Sequence, residues 1–307
     1  MIRLMGFLDN FLNKITMYRL VLYGLSALAF LSIIFGFVGW LSFDGMALIY
    51  SFFILTLTCY VVNNLLAKLF KVQTNVESAW VTGLILFFIL RPISSPNEIK
   101  MLVIASVLAM ASKYILVIHK KHILNPAAIA VFILGLFGNS LVWWWIGSSI
   151  MLLPVAGVGF LILRKIQRFT LFLWFILAAI ISILIVGLYN NVNLYDVLTQ
   201  VFTSWPILFF GSIMLTEPLT TPPSTKLQSF YGALVGVLFG LQFQIGPLYT
   251  TPELALIIGN LFSYIVSPRE RLVLTLIRKS KLTSDVYEFV WKFDKHYLGD
   301  WFCWQCG

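Results

Sequence analysis

The sequence has few charged residues. Asp, Glu, Lys and Arg make up 11% of its 307 residues, whereas a soluble globular domain has about 25%. Hydrophobic residues make up 60%, and the mean hydropathy is +0.93. This composition excludes a water-exposed globule and predicts an integral membrane protein. Because the apolar runs are long, they favour helices over the strands of an outer-membrane barrel, whose alternating segments have about ten residues.

Cysteine and histidine are also scarce. Of three cysteines, Cys59 lies in an apolar run and Cys303 and Cys306 lie near the end of the sequence, so no disulfide framework is indicated. Two thiols are fewer than the four ligands that zinc or an iron–sulfur cluster usually has. His119 and His122 lie in a basic run that is typical of a solvated surface. We therefore predict no metal site, and we find no pattern typical of a cleavable signal.

Ten apolar runs, separated by polar breaks, predict about ten transmembrane helices. Four of these runs have only 11 to 13 residues, and a spanning helix needs at least about 17. These four either extend through polar neighbours or are half-helices that end inside the protein. The ten runs are Val21–Trp40, Met46–Leu66, Trp80–Leu90, Met101–Ile118, Ala127–Phe137, Ile146–Leu163, Thr170–Leu188, Ser204–Leu215, Tyr231–Phe243 and Leu254–Val266.

The basic residues support this count and give it an orientation. With a cytoplasmic N terminus, 19 of the 21 Lys and Arg residues lie inside and only Arg91 and Lys100 lie outside, in agreement with the positive-inside rule. The net charge of +9 is then explained by topology and an anionic lipid bilayer, without nucleic acid. We expect a multi-pass protein of the cytoplasmic (inner) membrane with both termini cytoplasmic. It would have an N-terminal segment over 1–19, a membrane domain over 20–267 and a tail over 268–307.

Two proline-rich segments repeat each other. RPISSP at 91–96 follows the third run, and EPLTTP at 217–222 follows the eighth, at an offset of 126 residues. Chance similarity between proline-rich loops is the alternative. Because five helices separate the copies, they should face opposite sides of the membrane, which predicts two inverted halves over about 20–130 and 146–266. Proline leaves backbone polar groups unpaired, and at membrane depth such groups are tolerated only inside protein or beside a cavity.

Two further patterns concern packing. Gly232, Gly236 and Gly240 lie one helical turn apart and predict a flat face that allows a neighbouring helix to approach closely. Three consecutive tryptophans at 143–145 lie at the predicted outer boundary, which is typical of an interfacial aromatic belt.

Glu217 is the strongest candidate for a functional residue. A carboxylate between a short helix and a proline-rich break is costly at membrane depth unless it has a partner or a task. The alternative is a loop at the level of the lipid headgroups. Asn125 and Pro126 either simply cap the fifth helix or direct its N-terminal N–H groups at an anionic or electron-rich ring. Lys113 either extends to the inner interface or pairs with Glu217.

Four motifs occur in an order that resembles a known family. They are VTG at 81–83, Lys113, HILNPAA at 122–128, and TEPLTTP at 216–222 with YG at 231–232. Through them, residues 75–267 resemble the family formed by the D subunit of the Rnf electron-transport complex and its relative, the B subunit of the sodium-pumping NADH:quinone reductase. The family's aspartate in the last motif is Glu217 here, which keeps the carboxylate.

This resemblance implies a membrane subunit of a complex that couples electron transport to sodium or proton movement. Family members have ten helices in two inverted halves and bind flavin, in one case FMN attached to a Thr of a Ser-Gly-Ala-Thr motif. That motif is absent between Phe169 and Gln200, so we expect FMN or riboflavin to bind non-covalently. Partners would be other subunits of the complex or a flavin reductase. The implied site residues are Lys113, Asn125, Pro126, Glu217, Pro218, Thr220 and Thr221.

The tail differs in kind from the rest of the sequence. Polar and apolar residues alternate over 271–278 and 284–293, which predicts two strands joined by a turn. They resemble the opening hairpin of the FAD-binding barrel of ferredoxin-reductase-type enzymes, and FAD would bind only if that domain were complete. Because two strands alone cannot bury a core, we expect either a truncated chain or a short docking tail.

The sequence thus predicts an all-α polytopic membrane protein with a β-hairpin-like tail. As its function we expect electron transfer through flavin, across or within the membrane, as one subunit of an ion-translocating oxidoreductase. Two alternatives stay open. One is an inverted-repeat channel or carrier for a small solute, and the other is a redox-silent membrane anchor for a fused or partner reductase.

Overall fold

Helices make up most of the described chain. The computed structural model describes residues 9–10, 12–73, 75–93, 95–118, 121–137, 141–241, 244–245 and 248–267. The first half contains α1 Met17–Val38, α2 Gly45–Phe70, α3 Val76–Ile89, α4 Pro96–Ile115, β1 Val117–Ile118, β2 Lys121–His122 and α5 Pro126–Leu136. The second contains α6 Leu152–Ile166, α7 Phe169–Tyr189, α8 Leu194–Thr203, α9 Ile207–Met214, α10 Thr225–Gly240, β3 Gln244–Ile245, β4 Leu248–Tyr249 and α11 Pro252–Val266.

Several of these helices are long and apolar enough to cross a membrane. Four satisfy that criterion alone: α1, α2, α7, and α6 taken with the 3-10 turn before it, Ser149–Ile166. The pair α8 and α9 satisfies it together, with a bend of 59° between the two helices. In contrast, α3, α5 and α11 are apolar but shorter. By length and composition the described chain therefore has four or five helical segments that could span a membrane, and the predicted ten spans are not established.

The short runs at 80–90 and 231–243 extend towards the N terminus, because α3 begins at Val76 and α10 begins at Thr225. At 14 and 16 residues, both helices stay shorter than the minimum of about 17 for a span. The run at 127–137 stays short, since α5 has 11 residues. The predicted division between the membrane domain and the tail stays a prediction. The strands predicted over 271–278 and 284–293 lie outside the described residues.

The order of elements after α3 recurs after α9. A break that contains Pro92 follows α3, and a break that contains Pro218 follows α9. Each break is followed by a long helix and a pair of two-residue antiparallel strands, and the two strand pairs have the same register 127 residues apart. The next helices, α5 and α11, begin at Pro126 and Pro252. The repeat seen in the proline-rich segments therefore extends to the order and register of the surrounding elements.

The break after α3 is covered by protein. The carbonyl oxygen of Ile89 accepts hydrogen bonds from the backbone N–H groups of Trp143 (3.0 Å) and Trp144 (2.9 Å). The indole Nε1 of Trp145 donates to the carbonyl oxygens of Phe87 (2.7 Å) and Leu90 (3.1 Å). Residues 143–145 thus satisfy acceptors that the end of a helix leaves open. The irregular backbone at this point lies inside the protein, as membrane depth would require.

The same contacts correct the interpretation of the three tryptophans. Trp143 is 62% exposed, in agreement with an interfacial belt, but Trp144 and Trp145 are only 7% and 3% exposed. The belt interpretation is therefore wrong for Trp144 and Trp145. Their N–H groups are hydrogen-bonded inside the bundle, as buried indoles generally are.

The predicted glycine face is confirmed. Helix α10 packs against α7 so closely that a Cβ on Gly232 would lie 2.5 Å from the carbonyl oxygen of Leu171, and a Cβ on Gly240 would lie 2.6 Å from Ser182 Cβ. A Cβ on Gly236 would collide with the carbonyl oxygen of Phe175. Only glycine permits this distance between the two backbones.

An ion pair joins the start of the described chain to α6. The guanidinium group of Arg164 donates from Nε to Asp9 Oδ1 (3.0 Å) and from Nη2 to Asp9 Oδ2 (2.9 Å). This bidentate hydrogen bonding lowers the pKa of the Asp9 carboxyl below its usual value. Because the Asp9 side chain is 43% exposed, solvent screens the pair and limits its contribution to stability.

Candidate functional site

The candidate site is centred on Glu217, which follows α9. Its Oε2 accepts a hydrogen bond from Asn125 Nδ2 (3.0 Å), and its Oε1 lies 3.0 Å from His122 Nε2. The side chains of Glu217 and His122 are 20% and 11% exposed. Glu217 therefore contacts protein groups from the first half of the chain.

The local sequence explains why the chain turns at Glu217. Helix α9 widens into a π-helical turn over Phe210–Met214, and Pro218 has no N–H group with which to continue it. The hydroxyl groups of Thr220 and Thr221 then donate to the carbonyl oxygen of Glu217, at 3.4 Å and 3.0 Å. Both threonines are buried. Their hydroxyl protons hold this turn, and only their oxygen lone pairs remain available to another group.

Asn125 both caps α5 and binds Glu217. Its Oδ1 accepts hydrogen bonds from the backbone N–H groups of Ala127 (3.1 Å) and Ala128 (3.2 Å), and Pro126 occupies the first position of the helix. This arrangement is a typical N-cap. Because the cap uses only Oδ1, the amide Nδ2 is available to Glu217. The two alternatives for Asn125, capping and participation in a site, are therefore compatible.

A buried polar row continues from Asn125 into α11 and α10. The backbone N–H of Asn125 donates to Asn260 Oδ1 (2.9 Å), and Asn260 Nδ2 donates to the hydroxyl of Tyr231 (3.0 Å). Asn125, Asn260 and Tyr231 are at most 3% exposed. The Glu217 row, defined as Glu217, Asn125, Asn260 and Tyr231, thus connects elements from both halves of the chain.

Lys113 is oriented towards α3. Its Nζ donates to the carbonyl oxygen (2.8 Å) and to Oγ (3.0 Å) of Ser78. These hydrogen bonds join α4 to α3, and the ion pairs of the described residues do not include one between Lys113 and Glu217. Of the predicted site residues, Asn125, Pro126, Glu217, Pro218, Thr220 and Thr221 therefore lie together, while the ammonium group of Lys113 binds Ser78 and interacts with Glu217 through its charge alone.

Three residues of this cluster are not predicted by the sequence. The interpretation of His122 as part of a solvated basic run is wrong, because the imidazole contacts Glu217. The available signal was its position three residues before Asn125. Asn260 is a polar residue inside an apolar run, which is itself an indication of a partner at membrane depth. The YG motif does not indicate that the hydroxyl of Tyr231 accepts a hydrogen bond from Asn260.

The cluster offers hydrogen-bonding groups of several kinds. A carboxylate, an imidazole, an amide and the oxygens of two hydroxyl groups meet at the N terminus of α5. Such a set can bind a proton or hold the polar edge of a ring. Within the described residues, no group of three or more His, Cys, Asp or Glu side chains is suitably placed to hold a metal ion.

Comparison with known proteins does not identify a family. No family model matches the chain, and no curated protein matches it. The resemblance of the four motifs to the Rnf D-subunit family therefore stays a prediction.

Proposed function

We propose that the protein is a membrane subunit of an ion-translocating electron-transport complex, and that it binds flavin beside Glu217. The observation that supports this most directly is the 3.0 Å hydrogen bond between Asn125 and Glu217. It joins the two motifs, 92 residues apart in sequence, on which the resemblance to the Rnf D-subunit family mainly depends.

The proposed architecture has two inverted halves with ten membrane-embedded segments and both termini cytoplasmic. The recurrence of break, helix, strand pair and proline-initiated helix after α3 and α9 supports it. Reporter fusions at Gly307 and Asn139 test the topology, since the two positions should report opposite sides of the inner membrane. Signals from the same side would contradict the ten segments.

The residues around Glu217 suit the polar edge of a flavin ring. Asn125 retains a second amide proton to donate, and the oxygens of Thr220 and Thr221 can accept. When bound, a flavin supplies one- or two-electron transfer. The protein residues would orient the ring and stabilise charge on its edge. Since Ser-Gly-Ala-Thr is absent, the flavin should be held without a covalent bond.

An absorbance spectrum of the detergent-purified protein tests this proposal. We expect a flavin spectrum, and after denaturing electrophoresis the fluorescence should run at the dye front, away from the protein band. Glu217→Gln should reduce the bound flavin, because an amide accepts hydrogen bonds less strongly than a carboxylate. The matched control is Glu77→Gln, since Glu77 pairs with Arg19 at 2.9 Å, away from the Glu217 row, and should leave the flavin content unchanged.

Two outcomes would favour the alternative functions. Purified protein without flavin that takes up a small solute in lipid vesicles would indicate a channel or carrier. Protein with neither property would indicate a redox-silent anchor for a reductase. Equal flavin content in Glu217→Gln and in the unmodified chain would contradict the assignment of the site to Glu217.

A further inference from the structure

A second buried carboxyl group lies at the start of α11. Glu253 is in the first turn of this helix and is 2% exposed. Its Oε1 accepts a hydrogen bond of 2.7 Å from the indole Nε1 of Trp144. Among the residues that the structure describes, Oε2 is buried and has no hydrogen-bond partner. The function proposed above makes no use of this group.

Among the described residues, no charged group acts on the Glu253 carboxyl. Within the described chain, the groups that act on its carboxyl are the Thr251 hydroxyl, the Trp144 indole and the backbone at the start of α11. The Thr251 hydroxyl makes no hydrogen bond of normal geometry to Oε2. Burying an ionised carboxylate without a cation costs several kcal/mol, far more than burying a neutral acid. A group that binds at Oε2 and neutralises the charge removes that cost.

The repeat places Glu253 at the helix start that is equivalent to the start of α5 beside the first candidate site. Helix α11 is the counterpart of α5, because each begins at a proline directly after a strand pair. The N terminus of α5 meets the carboxylate of Glu217 through Asn125, and the N terminus of α11 carries Glu253 itself. The helix start that follows each strand pair thus has a carboxyl group beside it, and both of these carboxyl groups belong to the second half of the chain.

Helix α11 also connects the two carboxyl groups. Glu253 and Asn260 are seven residues apart, which places them on one face of the helix about 10 Å apart along its axis. Asn260 is 1% exposed and belongs to the Glu217 row. A buried face of α11 therefore carries Glu253 at one end and contacts the Glu217 row further along.

We propose that Glu253 binds and releases a proton inside the membrane domain, as the second ion site of the protein. Binding forms an O–H bond at Oε2 and converts the carboxylate to the neutral acid, and release reverses this step. A proton needs one oxygen atom, whereas hard metal cations are held by several oxygen ligands. Trp144 presents only a donor and cannot serve as a ligand. This inference rests on the proposed ion translocation but not on flavin.

Labelling with a hydrophobic carbodiimide tests the proposal on the full chain in lipid vesicles. Carbodiimides react with protonated carboxyl groups in apolar surroundings, and mass spectrometry of the peptide that contains Glu253 locates the label. We expect labelling that falls about tenfold for each pH unit above its midpoint, and that does not change when sodium replaces choline at constant pH. Glu253→Gln should remove this label.

Trp144→Phe gives an independent readout. The indole stabilises the ionised carboxylate by a hydrogen bond, so its loss should move the labelling midpoint to higher pH. Trp145→Phe is the matched control, because its indole binds the carbonyl oxygens of Phe87 and Leu90, and the midpoint should stay unchanged.

Three results would overturn the inference: no label on Glu253 at any pH, labelling that does not depend on pH, or protection by sodium, which would assign the site to that cation. Labelling needs no electron donor and no flavin. The proton site at Glu253 and flavin binding beside Glu217 are therefore tested independently. A chain that holds flavin without labelled Glu253 contradicts only the proton site.

Discussion

Replacing Asn125 tests whether the contact between the two halves stabilises the fold. Asn125→Ala removes an N-cap, which costs about 1 kcal/mol. It also removes the donor to Glu217 Oε2, and a buried acceptor left unpaired costs about 1–3 kcal/mol. Because Glu217 is 20% exposed and keeps its contact with His122, the lower end of that range applies. We therefore expect a total loss of about 2–3 kcal/mol.

Two further variants separate the cap from the contact. Asn125→Ser keeps a capping oxygen but does not reach Glu217, so it should lose about 1–2 kcal/mol. Asn193→Ala is the matched control. Asn193 caps α8 by accepting from Tyr195 N at 3.0 Å and is exposed. It should therefore lose only the cap, about 1 kcal/mol.

The fully buried Cys59 provides the assay. In a background with Cys303 and Cys306 changed to serine, a thiol-reactive dye becomes fluorescent only when unfolding exposes Cys59. The unfolding temperature should fall most for Asn125→Ala and less for Asn125→Ser and Asn193→Ala. Equal shifts for Asn125→Ala and Asn193→Ala would refute the claim that the contact with Glu217 contributes to stability.

Two other predictions use the same assay. Gly236→Ala should destabilise the fold by about 1–3 kcal/mol, because its Cβ collides with the Phe175 carbonyl oxygen. The control Gly157→Ala should be neutral or stabilising, because no atom lies within 4 Å of the new Cβ. Equal shifts in the unfolding temperature for the two variants would contradict the close helix contact. Arg164 lowers the pKa of Asp9 in the folded protein. The ion pair should therefore stabilise the fold at pH values above the pKa of Asp9 in the unfolded chain, and this stabilisation should be lost as the pH falls through the pKa of Asp9 in the folded protein. A pH profile unchanged by Asp9→Asn would argue against this.

The helical character of the chain and one close helix contact could be predicted from the sequence. Apolar runs determine where helices lie, because a membrane leaves few other structures available. The face of Gly232, Gly236 and Gly240 was predictable because small residues one turn apart are typical of close contacts between helices. Helix α8 could not be recognised as a separate element, since Asp196 and Gln200 interrupt its apolar pattern.

The polar contacts were harder to predict, because they depend on distant parts of the chain. Nothing local distinguishes Trp144 from Trp143, yet one is buried against Glu253 and the other is exposed. His122 resembles a surface residue because Lys121 precedes it, and its contact with Glu217 spans 95 residues. Sequence patterns describe which faces are apolar, whereas the partner of a polar side chain is decided by the assembled bundle.

The hydrogen bond between Asn125 and Asn260 has a consequence for how the protein is made. The two residues are 135 positions apart, and a ribosome adds about 5–20 residues per second. Asn125 therefore waits roughly 7–27 seconds for its partner after it has been synthesised. During that interval the backbone N–H of Asn125 lacks the acceptor that it has in the folded chain, and the synthesis of α11 supplies it.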